Sequence, residues 1–354
     1  MKLIKLVVLL TVLLAFISAC SGGGGGEDSS TPNSTTNYSE EDLQGTWNVH
    51  TLASGPGAPW WERGDLSITS TGSFTSSTTH NYGGENDRTG VLNISSDGEV
   101  TLVGVSSLQG QMDYDKTVIV CTTTWSFGSP GTTELQVLVR ASNSYSTSDL
   151  AGSWSVYGLA SGTGAPWWER GEMIIESDGS FTATTIESNG DDDNLSGTLS
   201  INSEGDVTLA GVGTLLGNMD AGKTVMVWTD TWSSGSSGTT ELKLLTKNGD
   251  LYSTSDLEGT WSVHGLASGE GAPWWERGTV FIEADGSFSS ITTDSDGGSD
   301  NQSGAFILSS NGEVTVSGST IHGSMDAGKT VIVWTDTWSY GGQETTELKV
   351  LVKE

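Results

Sequence analysis

The octapeptide Gly-Ala-Pro-Trp-Trp-Glu-Arg-Gly stands in this chain three times, beginning at Gly57, Gly164 and Gly271, with a constant interval of 107 residues. That interval is far longer than a solenoid repeat and close to the size of one small domain. The chain therefore reads as one domain written three times, over 38–144, 145–251 and 252–354.

Within a copy, the apolar pattern has the period of strands. In the third copy, strand-like runs cover 260–267, 276–283, 287–293, 304–309, 313–317, 322–325, 329–339 and 345–353, after a short capped turn at Ser253-Thr254-Ser255-Asp256. In the last run Leu348, Val350 and Val352 alternate with Glu347, Lys349, Leu351 and Lys353. One dry and one wet face per strand is the mark of an antiparallel sheet. Tight-turn dipeptides join the second run to the third (Thr71-Gly72, Asp178-Gly179, Asp285-Gly286) and the fourth to the fifth (Asp97-Gly98, Glu204-Gly205, Asn311-Gly312). The other links are longer and polar. In an up-and-down array alternate links share an end, so tight turns close one end. The Trp-Trp segment, the acidic link between the third and fourth runs and the last link gather at the other. The predicted fold is all-β: three tandem antiparallel eight-stranded up-and-down β-barrels, with β-sandwiches as the alternative. Closure into barrels removes exposed sheet edges.

Each copy opens with Leu-x-Gly-x-Trp, at Leu43 to Trp47, Leu150 to Trp154 and Leu257 to Trp261. With the strand count and order, this resembles the Gly-x-Trp opening of lipocalins and of bacterial lipocalin-like (calycin-type) domains. In that family the Trp closes the barrel bottom and a basic residue near the end of the last strand packs over it. The resemblance implies that Arg140, Lys247 and Lys353 cover Trp47, Trp154 and Trp261. The chain departs from the family's second motif, having Met112-Asp113, Met219-Asp220 and Met325-Asp326 where lipocalins have Thr-Asp-Tyr. It also lacks a helix after the last strand.

At the start of the chain Lys2 and Lys5 precede an apolar run from Leu6 to Ile17, which is too short to span a bilayer comfortably. The run ends in Ile17-Ser18-Ala19-Cys20, which resembles the lipobox of bacterial lipoproteins. The resemblance implies a signal peptide over 1–19 and lipid attachment at Cys20; the alternative is plain cleavage near Ala19. Residues 20–37, rich in Gly, Ser, Thr and Asn, have little to bury and read as a flexible tether. Ser21 rather than Asp follows Cys20, which by analogy with enteric bacteria points to the outer membrane. A formal net charge of −30 opposes nucleic-acid binding and attraction to anionic membranes, so the membrane contact expected is the lipid alone. With Cys20 lipidated, Cys121 has no partner in the chain. It aligns with Trp228 and Trp334, and so reads as an apolar strand residue.

Candidate binding residues come from the octapeptide: Trp60, Trp61, Glu62 and Arg63; Trp167, Trp168, Glu169 and Arg170; Trp274, Trp275, Glu276 and Arg277. One reading is an aromatic-lined mouth with a carboxylate or guanidinium that fixes a ligand. The other is a Trp plug with cross-strand Glu–Arg pairs. Strand parity puts Trp60 and Glu62 on the dry side and Trp61 and Arg63 outside. A second face carries Trp228, Asp230 and Trp232, then Trp334, Asp336 and Trp338, but only Cys121, Thr123 and Trp125 in the first copy; periodicity does not say whether it points inward or between domains. The acidic links (Glu85 and Asp87; Asp191, Asp192 and Asp193; Asp294, Asp296 and Asp300) share no calcium-loop spacing and read as solvated. No nucleophile–base set recurs among the copies, and of His50, His80, His264 and His322 only His50 and His264 match in register. The function expected is non-catalytic binding of a small apolar or amphipathic ligand, or a glycan, at the open ends, with no cofactor and no metal. The alternative is a structural or adhesive surface protein with plugged barrels.

Overall fold

In a computed structural model of the chain, the residues described are 37–55, 59–125, 131–162, 166–232, 238–269, 273–340 and 343–354. The signal sequence, Cys20 and all but the last residue of the tether lie outside them. Among the described residues no helix is long and apolar enough to cross a membrane.

Barrel 1 consists of β1 (Gly45–Ser54), β2 (Trp60–Ile68), β3 (Ser73–His80), β4 (Glu85–Ile94), β5 (Glu99–Leu102), β6 (Val105–Met112), β7 (Val118–Trp125) and β8 (Thr132–Arg140). Each strand pairs antiparallel with the next, and β1 pairs with β8, so the sheet is closed. Barrel 2 repeats this from β9 (Gly152–Gly162) and β10 (Trp167–Ile175) to β15 (Val225–Trp232) and β16 (Thr239–Lys247). Barrel 3 runs from β17 (Gly259–Gly269), β18 (Trp274–Ile282), β19 (Ser287–Asp294) and β20 (Ser299–Leu308) to β23 (Val331–Tyr340) and β24 (Gln343–Lys353). Closure rules out the sandwich alternative.

One helical turn precedes each barrel: Glu40–Leu43, Thr147–Leu150 and Thr254–Leu257. The Leu that ends each turn is fully buried. Its carbonyl accepts a hydrogen bond from the indole N–H of the first-strand Trp, Trp47 at 2.8 Å and Trp154 and Trp261 at 2.7 Å. Between them, Gly45 (φ +135°), Gly152 (+132°) and Gly259 (+134°) turn the chain into the strand in a region that L side chains rarely adopt.

One expectation is corrected. The acidic link between the third and fourth strands is not a long loop: β3 and β4 run on to a four-residue turn over 81–84, and Glu85 and Asp87 belong to β4. In barrel 3, β20 starts at Ser299 rather than 304. These extensions are polar on both faces at the barrel mouth, so no apolar alternation marks them as strand.

The three barrels are not beads on a string. Strands β1 and β2 pack on β15 and β16, β9 and β10 on β23 and β24, and β17 and β18 on β7 and β8. Barrel 1 thus abuts barrel 2, barrel 2 abuts barrel 3, and barrel 3 returns to barrel 1, a head-to-tail arrangement that closes at three. One continuous apolar cluster lies where they meet. It includes Leu52, Val120 and Val137 of barrel 1, Leu159, Val227 and Leu244 of barrel 2, and Leu266, Val333 and Val350 of barrel 3, all fully buried. Each barrel also has its own interior cluster.

Candidate functional site

The octapeptide divides by strand parity. Its second Trp points out of its own barrel and into the next. Trp61 donates its indole N–H to the Thr231 hydroxyl at 2.7 Å, Trp168 to Thr337 at 2.6 Å and Trp275 to Thr124 at 2.6 Å. The Arg two residues on stacks over that ring, at 4.3 Å for Arg63, 4.4 Å for Arg170 and 4.1 Å for Arg277. Arg63 also donates to the Thr229 carbonyl at 2.8 Å and Arg277 to that of Ser107 at 3.0 Å. These six residues fasten the seams and do not line a mouth. Trp275→Phe removes the bond to Thr124 and is expected to cost about 1–3 kcal/mol, read from urea unfolding midpoints at constant slope.

The histidines at the register position shared by the first strands also lie in seams. His50 Nε2 is 2.9 Å from Asn218 Oδ1, and His264 Nδ1 is 3.4 Å from the Thr122 hydroxyl. Burial pulls His50 down to about 4 and His264 to about 3, so both are neutral around pH 7. Neither is placed as a catalytic base. Among the described residues no three His, Cys, Asp or Glu side chains are grouped to hold a metal ion.

At the closed end, the Arg140 guanidinium lies 4.4 Å from the Trp47 ring centre, and the Lys247 and Lys353 ammonium groups lie 5.3 and 5.4 Å from those of Trp154 and Trp261. A second feature there is a cycle of three buried carboxylates. Asp113 accepts the amides of Thr117 and Val118 at 2.7 and 2.8 Å, and the Thr330 hydroxyl of barrel 3 at 3.1 Å. Asp220 accepts the amides of Thr224 and Val225, both at 2.8 Å, and the Thr117 hydroxyl of barrel 1. Asp326 accepts the amides of Thr330 and Val331 at 2.9 and 2.8 Å, and the Thr224 hydroxyl of barrel 2. Each barrel therefore bonds the next barrel's turn. The triplicated Asp-x-x-Lys-Thr-Val was the available signal, and it reads as an ordinary hairpin turn until the barrels are placed together.

The interiors of the barrels differ. Trp228 and Trp334 point inward and are buried in the cores of barrels 2 and 3. Each sits directly across the strands from a lysine, Trp228 opposite Lys243 and Trp334 opposite Lys349. The Lys243 ammonium pairs with Glu169 and lies 3.4 Å from Glu241. The Lys349 ammonium is 2.7 Å from Glu276 and 3.4 Å from Glu347. Burial works against both ammonium groups, but their two carboxylates outweigh it and hold each above the usual lysine range. In barrel 1 the opposed pair is Cys121 and Gln136. Glu62 bonds the Thr78 hydroxyl and the Arg88 guanidinium at 3.0 Å, and Gln136 donates to Glu134 at 3.0 Å.

A cavity of about 480 Å³ is left in barrel 1. Val49, Leu66, Phe74, Leu102, Ile119 and Leu138 line its apolar part, and Glu62, Thr78, Arg88 and Gln136 its polar part. Such a volume is within the range of small-molecule sites. The Cys121 thiol also lines it; burial pushes it up to about 12, so it is not a ready nucleophile. Trp60, half-buried, stacks edge-to-face on His80 at 5.6 Å. Of the octapeptide's candidates, then, the structure brings Glu62 to the cavity, keeps Glu169 and Glu276 in ion pairs with Lys243 and Lys349, and sends Trp61, Trp168, Trp275 and their arginines to the seams. Trp167 and Trp274 are half-buried.

No protein-family description and no curated protein of known sequence matches the chain. Solved structures that share some of its architecture are distant. One is a protein of unknown function from the DUF3598 family of Nostoc punctiforme, 10% identical, with a TM-score of 0.22, covering 58% of this chain and 97% of that one. Another is transferrin binding protein B of Haemophilus parasuis, 9% identical, with a TM-score of 0.32, covering 83% and 66%. A third is kievitone hydratase of Nectria haematococca, 8% identical, with a TM-score of 0.23, covering 91% and 95%. At these scores none of them lends its role to this chain, and function rests on the site itself.

Proposed function

We propose that the chain is a bacterial envelope lipoprotein, held at the outer membrane by a lipid on Cys20 and raised on the tether. Its three lipocalin-like repeats form a ring in which barrel 1 binds a small apolar or amphipathic molecule without chemistry. The observation that carries this reading is the cavity of about 480 Å³ in barrel 1, at the place where barrels 2 and 3 carry inward Trp228 and Trp334. The same observation gives the structural alternative its place, since two barrels with tryptophan interiors serve as scaffold for the third. The anchor is supported by the Lys2/Lys5 start, the apolar run and the Ser18-Ala19-Cys20 ending. Labelled palmitate should enter the chain and fail to enter a Cys20→Ser variant.

Binding is tested by restoring the missing ring. Cys121→Trp is expected to weaken binding of Nile red, a neutral apolar probe, at least about tenfold, the effect of filling a site worth more than about 1.4 kcal/mol. The melting temperature should hold. Unchanged probe binding in this variant would mean that the cavity is not the site.

A further inference from the structure

Barrel 1 differs from its siblings at the mouth as well as inside. Glu62 of β2 stands directly opposite His80 of β3, and Thr78 of β3 stands opposite Asn86 of β4. The matching pairs are Glu169 with Glu187 and Thr185 with Asp193 in barrel 2, and Glu276 with Asp294 and Thr292 with Asp300 in barrel 3. Two acids at the mouth of each filled barrel are thus replaced, at the mouth of the hollow one, by an imidazole and an amide. Tyr82, 70% exposed, stands where the repeat has Asn189 and Asp296, and its hydroxyl donates to the Pro59 carbonyl. With the edge-to-face pair of Trp60 and His80 it makes a lip of three rings.

We propose that the ligand of barrel 1 is a single-tailed amphiphile with an uncharged, hydroxyl-bearing head, such as a sugar or glycerol. Its tail lies in the apolar part of the cavity, among Leu66, Phe74, Ile119 and Leu138, and its head rises past Glu62 and Arg88 to the lip of Trp60, His80 and Tyr82. This rests on the reading of barrel 1 as the binding barrel. The charges in the polar part are already matched, since Glu62 meets the Arg88 guanidinium at 3.0 Å. With its amide turned to satisfy both neighbours, Asn86 accepts from Arg88 Nε at 2.9 Å and from His80 Nε2 at 3.3 Å. Glu134 accepts from Gln136 and does not line the cavity. A charged head would therefore bring an unmatched charge into a partly desolvated place. A wholly apolar ligand would strip water from Glu62, Arg88 and Gln136 and return no hydrogen bond. A hydroxyl donates and accepts at once, so it joins this belt without changing its charge. The rings of the lip offer apolar faces to the C–H side of a sugar.

The test is calorimetric titration of the intact protein with four probes that share one tail, each kept below its micelle-forming concentration: octyl glucoside, methyl octyl ether, octyl sulfate and octylammonium. Octyl glucoside is expected to bind one-to-one, at least about tenfold tighter than the other three. The double variant His80→Glu/Asn86→Asp gives barrel 1 the mouth residues with which barrel 2 already folds. It should weaken octyl glucoside binding by about tenfold or more and leave Nile red binding within about threefold, which shows that the fold and cavity survive. Equal or tighter binding of the ether, the sulfate or the ammonium overturns the hydroxylated head and leaves the cavity reading standing. So does an unchanged octyl glucoside affinity in the double variant, or failure of all four probes while Nile red binds. Failure of all four together with Nile red overturns both.

Discussion

Val137→Asp is expected to unfold the whole assembly at denaturant concentrations that the parent chain survives, with a loss of about 4 kcal/mol or more. Val137 is fully buried, yet it points away from the interior of its own barrel, in the cluster shared by all three. If the barrels stood apart, its side chain would meet water, and an added carboxylate there would change stability by less than about 0.5 kcal/mol. The control is Ile174→Asp, on an outward face of barrel 2 where the side chain is half exposed; it should fall within that small range. Urea unfolding followed by fluorescence and by calorimetry should show one cooperative transition for the parent chain. A Val137→Asp variant as stable as Ile174→Asp would exclude the ring.

The second large effect is on pH. Burial pushes Asp113 up to about 7 and Asp220 up to about 6 against the amides that bond them, and raises Asp326 as well. The neighbouring carboxylates of the cycle push Asp113 and Asp220 in the same direction. A carboxyl whose folded value exceeds its unfolded value of 3.8 binds more protons folded than unfolded between the two. Its contribution to stability is fully present below 3.8 and is lost as pH rises through the folded value. For Asp113 the loss between pH 4 and pH 8 is of the order of 4 kcal/mol. The carboxylates of Asp42, Asp149 and Asp256 act oppositely. Against the pull of burial, their ion pairs with Lys116, Lys223 and Lys329 lower them, so their contribution is lost only as pH falls below the usual carboxylate range. The buried imidazoles of His50 and His264, pulled down from 6.5 to about 4 and about 3, also act oppositely and add stability as pH rises to 6.5, so the decline due to the cycle is read as the difference between parent and variant. Asp113→Asn keeps an acceptor for the Thr117 and Val118 amides and should flatten the decline. Urea midpoints measured from pH 4.5 to 8.5 check this, and equal slopes in variant and parent would rule it out.

The barrels were legible in the sequence because their connections announce themselves. Asp285-Gly286 and Asn311-Gly312 mark hairpins, and Leu348, Val350 and Val352 alternate with polar neighbours. The ring was not, and the strands that build it show why. On β15, Val225 and Val227 face the shared cluster while Met226 and Trp228 face the barrel interior. A strand buried on both sides is one apolar run, and period-two alternation cannot assign its faces. The same ambiguity hid the cavity. The change from Trp to Cys121 is plain in the sequence, but its meaning depends on the direction that position faces. For Trp61 parity gave the outward direction, yet only the neighbouring barrel's Thr231 gives it something to meet. The mouth strands escaped for the opposite reason, since Glu85 and Asp87 carry no apolar signal on either face.

Closure at three also bears on how such a chain can change over generations. A lone barrel of this size that lost an interior indole and an interior ammonium would lose much of what keeps it folded. In the ring, barrel 1 is propped along both flanks by siblings with intact interiors, and its own wall strands are buried on their outer side by them. A copy with Cys121 and Gln136 at those positions can then stay hollow without collapse, because its two neighbours supply the support. The asymmetry among the three copies is in this sense a division of labour, in which two barrels with tryptophan interiors carry the third.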